Sequence, residues 1–203
     1  MPPLKLFSRA ILVSATLCCA QFLSLNLQAV EFEITPFIGQ TFSPDLVNGN
    51  ETNTLPVSDE PNVGLAFSWL DSPSGQGQVI VNFISRDFKD DNQLKHSFDT
   101  IYAHFNGVAL FRERNYITTV SLGLGATYFD SDFDDVIYPS LTAAVGTRYE
   151  FSDNLALVTE LRMYATLTDE DEQLFCQADN CVAQFESAIW LDSQISIGIA
   201  YRF

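Results

Sequence analysis

Residues 195–203 read Ile-Ser-Ile-Gly-Ile-Ala-Tyr-Arg-Phe, and this stretch carries the clearest structural pattern in the chain. A large apolar or aromatic side chain occupies every second position, and small or polar residues stand between them. Successive side chains of a β-strand point to opposite faces, so the alternation predicts a strand with one apolar face. The same period of two recurs in seven earlier stretches, at residues 31–42, 62–70, 78–88, 98–111, 119–128, 141–151 and 155–164. The sequence therefore predicts eight strands.

The connections between these strands alternate in length. In an up-and-down sheet, alternate connections lie at opposite ends, so the short turns share one end with both termini. Short turns at one end and longer loops at the other are typical of outer-membrane barrels. We predict short turns at 72–77, 112–115 and 152–154, and longer polar loops at 43–61, 89–97, 130–136 and 169–186. Pro36 lies inside the first strand and cannot donate a ladder hydrogen bond, so we expect a bulge or local break there.

The polar face of the strands distinguishes a membrane barrel from a soluble lipocalin-like barrel, the alternative interpretation. A soluble barrel turns its large apolar side chains inward. In this chain the face opposite to the apolar one carries small residues together with the polar residues Glu33, His104, Asn106, Arg148, Glu160, Arg162 and Arg202. Such a face suits a narrow, filled, polar lumen, with the aliphatic and aromatic residues turned to lipid. We predict an all-β fold, an eight-stranded antiparallel up-and-down transmembrane β-barrel spanning residues 30–203.

The first 29 residues have the pattern of a cleaved signal peptide. Lys5 and Arg9 precede an apolar stretch, no charged residue follows until Glu31, and Ala29 ends the segment with a small residue. This order is typical of export signals. A retained transmembrane helix and a lipid anchor at Cys18 or Cys19 are the alternatives. We therefore predict export to the outer membrane of a Gram-negative cell.

The composition excludes several classes of protein. The 203 residues include 26 acidic and 10 basic ones, a formal charge of −16, and 47% are hydrophobic. That apolar content excludes a disordered chain, and the acidity argues against nucleic-acid binding. Cleavage after Ala29 would remove two basic residues and no acid, leaving 8 against 26, a charge of −18. Two cysteines would remain, Cys176 and Cys181, and an even number in an exported protein predicts a structural disulfide.

The end of the chain resembles a known assembly signal. Terminal Phe203, preceded by Tyr201, Ile199 and Ile197 at alternate positions, looks like the signal read by the outer-membrane barrel assembly machinery. The stretch Ile34-Thr35-Pro36-Phe37-Ile38-Gly39, the segment Leu174-Phe175-Cys176 with Cys181, and Ile189-Trp190 also resemble a group of small proteobacterial outer-membrane β-barrel proteins. Their architecture is similar to that of the OmpA-like and OmpW-like barrels. The resemblance implies fold and location, but no particular activity.

Two groups of charged residues are candidate sites. Glu33, Arg148, Glu160, Arg162 and Arg202 are expected to form a charge network in the lumen, because buried charges need partners; a gate or ion path is the alternative. The longer loops hold 16 of the 26 acidic residues. Of these, Asp130, Asp132, Asp134 and Asp135 resemble half of a calcium loop without its glycine and distal glutamate. Solvated, mutually repelling loops are one interpretation, and a divalent-cation site that bridges the loops to lipopolysaccharide is the other.

Catalytic residues are few. His96 and Ser97 are adjacent, with Asp99 nearby, but adjacent side chains on a strand point to opposite faces. We therefore expect no enzyme, no cofactor and no firm metal site, with a lipid-modifying hydrolase as the least favoured function. The leading hypothesis is a monomeric structural or surface-interaction protein whose partners are outer-membrane lipid and lipopolysaccharide. The alternative is an OmpW-like conduit for small hydrophobic molecules, suggested by Phe37, Ile80, Ile84 and Val108 on the predicted lumen face.

Overall fold

The structure, a computed structural model, describes residues 31–48, 53–168, 174–177 and 180–203. The predicted signal peptide at 1–29 lies outside these residues. All regular structure in the described part is β-strand, in agreement with the period of two in the sequence. The strands are β1 (Phe32–Phe42), β2 (Leu46–Val47), β3 (Thr54–Leu55), β4 (Glu60–Ser72), β5 (Gly75–Lys89), β6 (Lys95–Arg112), β7 (Ile117–Ser131), β8 (Asp135–Glu150), β9 (Leu155–Leu167), β10 (Cys176–Gln177), β11 (Asn180–Cys181), β12 (Gln184–Phe185) and β13 (Ile189–Arg202).

Eight of these strands close into an antiparallel barrel in the order β1-β13-β9-β8-β7-β6-β5-β4, which confirms the predicted fold. The first and last strands meet, and Glu33 pairs with Arg202 in the β1–β13 register. Phe32 and Phe203 exchange backbone hydrogen bonds of 3.3 and 3.0 Å at the end of this seam. Closure leaves the sheet without an edge, so its backbone groups are paired between neighbouring strands.

The two faces of the barrel differ as the alternation predicts. The outer face is a belt of exposed apolar side chains; on β7, for example, Leu122 and Leu124 are 67% and 69% exposed. The inward face of the same strand carries Ser121 and Thr127, which are buried. A face this apolar is stable next to hydrocarbon rather than water, so the molecule is a transmembrane barrel. No helix in the described part of the chain has the length and apolarity needed to cross a membrane.

The two ends of the barrel have different connections. The end that holds the chain terminus Phe203 and the turns 73–74, 113–116 and 151–154 is called the terminal end. The opposite end, called the loop end, holds the connections 43–59, 90–94, 132–134 and 168–188. Two predicted long loops, 89–97 and 130–136, are wrong, because the strands continue through them to leave turns of five and three residues. Strand pairing extends to Lys89↔Lys95 and Asp130↔Asp135.

The irregularity predicted at Pro36 is present as a local break and not as a bulge, because Thr35 and Pro36 have no partners in the β1–β13 ladder. The register of β1 against β13 is the same on both sides of Pro36, from Ile34↔Tyr201 to Phe37↔Gly198, and the pairing with β4 is continuous. Proline is tolerated because one missing N–H removes a single ladder bond without requiring an extra residue. The bulge instead lies in β4, where Leu70 pairs with Gln76 but Ser72 pairs with Gly75, so that Asp71 is an extra residue.

The two long connections at the loop end fold over the barrel mouth. Strand β12 pairs with β2, and β2 with β3, so that a small three-stranded sheet joins the two connections. We call the described parts of these connections, 43–48, 53–59, 174–177 and 180–188, the cap. Their polar sequence predicts solvated loops; instead, their apolar residues are buried against the ends of the barrel strands.

Candidate functional site

The candidate site is the lumen of the barrel with the cap above it, and its lowest layer is an ion group at the terminal end. Arg148 donates from Nη1 to Glu33 Oε1 at 2.6 Å, and its Nη2 contacts Glu33 Oε2. Both side chains are buried. Arg202 lies beside them, with its Nη2 3.5 Å from Glu150 Oε1 and its Nε 3.8 Å from Glu33 Oε2. A bidentate arginine–carboxylate pair with further charged neighbours satisfies groups that would otherwise be costly to bury.

Glu160 and Arg162 form a second, separate pair higher in the lumen. They are two residues apart on β9 and therefore share its inward face. Arg162 is fully buried; its Nη2 lies 2.7 Å from Glu160 Oε1, and its Nη1 donates to Thr142 Oγ1 at 3.1 Å. Both ion groups line one cavity of about 50 Å³. That volume suits a few water molecules rather than a larger solute.

A chain of amide groups crosses the lumen above these pairs. Asn62 donates to Asn82 at 2.8 Å, and Asn82 donates to Gln194 at 2.7 Å. Thr41 donates to Asn62 at 3.3 Å. All four side chains are buried, and they belong to β4, β5, β13 and β1. The chain of hydrogen bonds therefore links four consecutive strands of the barrel, from β5 through β4 and β1 to β13, and fills this part of the interior with polar groups.

The most enclosed ion pair, Arg86 with Asp192, was not among the predicted sites. Both side chains are completely buried, and Arg86 Nη2 lies 2.6 Å from Asp192 Oδ2. The other guanidinium nitrogens donate to Ser43 Oγ at 2.8 Å and Thr100 Oγ1 at 2.5 Å. The guanidinium carbon also lies 5.7 Å from the centre of the Phe98 ring. Every nitrogen of this arginine is thus satisfied, and through Ser43 the pair reaches the beginning of the cap.

One carboxylate oxygen of Asp192 accepts several hydrogen bonds. Its Oδ2 accepts hydrogen bonds from the Tyr102 hydroxyl and, at 3.0 Å, from Trp190 Nε1. The Tyr102 ring stacks on Tyr164, with centroids 4.0 Å apart and planes inclined by 13°. A layer of charge and stacked rings therefore closes the lumen beneath the cap. Arg86 is an even number of residues from Ile80 and Ile84 on the same strand, so the alternation of the sequence places its side chain on the lumen face with theirs.

The cap seals the loop end with an aromatic core. The ring of Phe185 lies 5.4 Å from Trp190 and 5.5 Å from Phe129, and that of Phe175 lies 5.3 Å from Phe88 and 5.4 Å from Phe98. The core combines rings from the cap with rings from the barrel strands. Its buried members are Leu46, Leu55, Val57, Phe88, Phe98, Phe129, Tyr138, Leu174, Phe175, Ala183, Phe185 and Trp190.

Cys176 and Cys181 form a disulfide within the cap, with Cα atoms 3.9 Å apart. They are cross-strand partners in the β10–β11 hairpin. Val182 donates from its backbone to the Phe175 carbonyl at 3.0 Å, directly beside the disulfide. The disulfide therefore closes the hairpin that carries Phe175 into the aromatic core, consistent with a structural staple.

Replacing both Cys176 and Cys181 with serine should loosen the cap without opening the barrel. A disulfide that closes so short a loop contributes about 2 kcal/mol by the chain-entropy argument. We expect amide hydrogen exchange in residues 180–188 to accelerate by about 30-fold, while exchange in β6 and β7 stays unchanged. Unchanged exchange in the cap would show that the hairpin is held by packing alone.

The acidic residues proposed as a cation site occupy a tight hairpin. Asp130 and Asp135 are cross-strand partners, and Asp132 and Asp134 lie in the turn between them. Ser131 organises this turn, because its Oγ accepts the Asp134 backbone N–H at 3.2 Å. Among the residues that the structure describes, no three His, Cys, Asp or Glu side chains converge on a point that could hold a metal ion. The cation site thus gains no support from geometry.

Asp90, in the 90–94 turn at the loop end, is an acidic residue whose surroundings shift its pKa. Burial by itself raises the pKa of this carboxyl, but its hydrogen bonds from the backbone N–H groups of Leu94 and Asn92 outweigh burial and lower the pKa below its ordinary value. His96 Nε2 lies 3.6 Å from the same carboxylate. The imidazole of His96 also packs 5.3 Å from Phe88 and 5.8 Å from Phe133. These contacts tie the 90–94 turn to the β7–β8 hairpin.

His96 and Ser97 do not form a catalytic pair. His96 contacts Asp90, while neighbouring Ser97 lies on the opposite face of β6. A different pair does meet in the lumen, where Ser140 Oγ lies 2.8 Å from His104 Nε2. His104 Nδ1 has no hydrogen-bond partner in the described part of the chain, so no acidic residue there orients this imidazole. Both side chains are buried, and neither lines the lumen cavity.

The residues of the predicted assembly signal all lie on the outer face of the last strand. Ile197, Ile199, Tyr201 and Phe203 are between 43% and 61% exposed, and Tyr201 stacks on Phe203 with centroids 6.4 Å apart. In the finished barrel these side chains belong to the apolar belt. Their part in assembly stays a prediction.

Comparison with known proteins supports the fold but does not assign an activity. No family model matches the chain, and no curated protein matches its sequence. Solved structures do match. Neisserial surface protein A has a TM-score of 0.61 at 9% identity, covering 85% of this chain and 97% of that one. The outer membrane protein OprG from Pseudomonas aeruginosa has a TM-score of 0.58 at 13% identity, with coverage of 86% and 96%.

A third structure gives the same result. The outer membrane protein AlkL in lipid bilayers has a TM-score of 0.55 at 14% identity, covering 85% of this chain and 90% of that one. The shared feature is the closed barrel of eight antiparallel strands, since the sequence identity is too low to carry over an activity. The chain therefore has the fold of the small eight-stranded outer-membrane β-barrel proteins, the group that its sequence resembles.

Proposed function

We propose that this protein is a monomeric structural or surface-interaction protein of the outer membrane. Its barrel serves as a closed scaffold, and its acidic loop end meets the surrounding lipopolysaccharide or a partner molecule. Residues 1–29 act as a signal peptide that is removed on export. The similarity in fold to OprG and AlkL, both named as outer membrane proteins, supports this location.

The capped and filled lumen is the observation that carries the proposal. From the terminal end upward, the interior holds the Glu33–Arg148 pair, the amide chain through Asn82, the Arg86–Asp192 pair and the aromatic core of the cap. An eight-stranded barrel leaves room for little more than its own side chains. Because each layer is held by hydrogen bonds or packing, opening a path would require several layers to rearrange together.

The charge distribution supports contact at the loop end. Among the described residues, Lys89 and Lys95 are the basic side chains exposed there, and Lys95 is paired with Asp87 at 2.7 Å. The other exposed or partly exposed cations lie at the terminal end, namely Arg112, Arg114 and Arg202. The loop end therefore presents mainly carboxylates. A partner that binds there must carry cationic groups or be bridged by cations.

The alternative function, a conduit for small hydrophobic molecules, rests on apolar residues inside the lumen. Phe37 and Ile80 share one buried cluster, whereas Ile84 and Val108 belong to two others. The chain of amides and the ion pairs lie among these clusters. Separate apolar clusters in a polar interior support a packing role for them rather than a continuous apolar path.

Reconstitution in planar lipid bilayers tests the two functions against each other. We expect the folded protein to give no reproducible conductance, because the cap and the polar layers fill the lumen. Correct folding is checked by the shift in electrophoretic mobility between unheated and heated samples. Reproducible conductance that a hydrophobic solute blocks would contradict the scaffold proposal and favour the conduit.

A pair of neighbouring variants controls this test. Ile80 faces the lumen and is buried, whereas Val79 faces lipid and is 41% exposed. If the wild-type protein conducts through its lumen, Ile80→Gln should change the conductance and Val79→Ala should not. A current that responds equally to both variants is a leak through the bilayer.

A further inference from the structure

The outer face of the barrel carries an apolar groove near the terminal end. The groove has a volume of about 580 Å³ and lies across β4 to β7. Trp69 and Phe105 form its upper wall, with ring centroids 5.7 Å apart, and Val120 and Leu122 stand on the opposite side. Each of these side chains belongs to the lipid-facing surface. Hydrocarbon is therefore the medium that the groove meets in a membrane.

Glycine makes the floor of this groove. The Trp69 indole lies directly over Gly77, where an added Cβ would come within 2.3 Å of the ring, so only glycine allows the ring to lie flat on β5. Gly107, on the next strand, has open space where its Cβ would be. The surface is thus recessed at Gly107 between walls of large side chains.

A lone carboxylate marks the rim of the groove. Asp71 is the extra residue of the β4 bulge, and bulges re-aim side chains. Its side chain is exposed, it lines the groove, and no Lys, Arg or His among the described residues lies within 4.0 Å of it. Ser74, in the following turn, also lines the rim and adds a hydroxyl. An unpaired acid at the border of the apolar belt lies at the depth of lipid headgroups.

We propose that this groove binds a phospholipid with an ethanolamine headgroup, with one acyl chain against Gly107 and the headgroup ammonium at Asp71. The ammonium supplies both the positive charge and the hydrogen-bond donors that the carboxylate accepts. A choline headgroup has the charge but no N–H donor, and a glycerol headgroup has no cation. The carboxylate therefore selects ethanolamine over both.

Quenching of tryptophan fluorescence by brominated lipid provides the test. Trp69 lies in the groove, whereas Trp190 is buried in the cap, 2% exposed, and contributes a constant background. The protein is reconstituted in vesicles of phosphatidylcholine brominated on its acyl chains. Unbrominated lipids of each headgroup are then mixed in, and the recovery of fluorescence measures how well each lipid displaces the brominated one.

We expect phosphatidylethanolamine to displace the brominated lipid about fivefold better than phosphatidylcholine, the effect of about one hydrogen bond, since both headgroups carry the positive charge. Asp71→Asn should remove this preference, whereas Asp153→Asn, an exposed carboxylate in the β8–β9 turn away from the groove, should keep it. Gly107→Leu should fill the groove and weaken quenching at Trp69. Ala143→Leu, on the lipid-facing side of β8, is the matched control and should leave quenching unchanged.

Three results would overturn the proposal: equal displacement by the two lipids, a preference for phosphatidylglycerol, or a preference that survives Asp71→Asn. The Trp69→Phe variant confirms the reporter, because it should lose the quenchable signal. All variants lie on the exposed surface and are checked for folding by the same mobility shift, so failed folding cannot be read as failed binding. Since the groove is outside the lumen, the result does not depend on whether the barrel is a scaffold or a conduit.

Discussion

Arg86→Met should lower the free energy of unfolding by about 3–5 kcal/mol, because removing one partner of a buried ion pair leaves the other charge uncompensated. Asp192 would remain fully buried, and its remaining contacts with Tyr102 and Trp190 supply neutral donors but no positive charge. Urea unfolding of the barrel in lipid vesicles, followed by electrophoretic mobility, measures the change.

The companion variant distinguishes loss of charge balance from loss of packing. In Arg86→Met with Asp192→Asn, the negative charge is gone, while an amide oxygen still accepts from Tyr102 and Trp190. We expect the double variant to recover at least about 1 kcal/mol relative to Arg86→Met alone. No recovery would mean that the arginine acts by filling space rather than by charge.

An exposed ion pair serves as the control for this measurement. Arg112 Nη1 lies 3.9 Å from Glu150 Oε2, with side chains 47% and 36% exposed. Water and salt screen such a pair, so Arg112→Met should cost less than about 1 kcal/mol. An equally small loss of stability for Arg86→Met would show that breaking the buried Arg86–Asp192 pair costs no more than breaking an exposed pair.

Phe185→Ala should release the cap from the barrel. Phe185 is 4% exposed and packs against Phe129, Phe175 and Trp190. Truncating a buried phenylalanine costs about 3–5 kcal/mol through lost burial and the cavity left behind. The barrel strands hold their own hydrogen bonds, so we expect the loss to fall on the cap rather than on the barrel.

Hydrogen exchange resolves where the stability is lost. Exchange in the described cap residues should accelerate by about 100-fold or more, while the lipid-embedded parts of β6 and β7 keep their protection. Phe105→Ala, on the lipid face and 58% exposed, is the control and should leave cap exchange unchanged. If Phe185→Ala instead unfolds the whole barrel, then the cap and barrel form one cooperative unit.

The barrel strands could be predicted from the sequence because one local rule governs them, the alternation of apolar with polar or small residues. The alternation at 195–203 predicted both the strand and its faces, and the same parity placed Phe37, Ile80, Ile84 and Val108 in the lumen, where they are buried. The rule fails at strand ends. Asp130 and Asp135 look like loop residues, yet they extend a hairpin, because polar strands above a membrane need no apolar face.

The partners inside the lumen could not be predicted in the same way. The alternation places both Arg86 and Asp192 on the lumen face of their strands. These strands, β5 and β13, are separated by β4 and β1 around the barrel. Alternation shows which face a side chain occupies, while the partner across the lumen depends on the stagger of all eight strands. Glu33 and Arg202, in contrast, lie on the adjacent strands β1 and β13. Their proximity could therefore be predicted from the sequence.

An eight-stranded membrane barrel and its two faces could be predicted from the sequence alone, because both depend on period-two alternation along each strand. The cap that closes the barrel, in contrast, depends on contacts between residues far apart in the sequence. Phe175 and Phe185 lie in segments without clear periodicity, and the composition of these segments suggested solvated loops. Their burial depends on rings from β5, β6, β7 and the start of β13, which meet only after closure. The loop end is therefore closed by an aromatic core that no local pattern encodes.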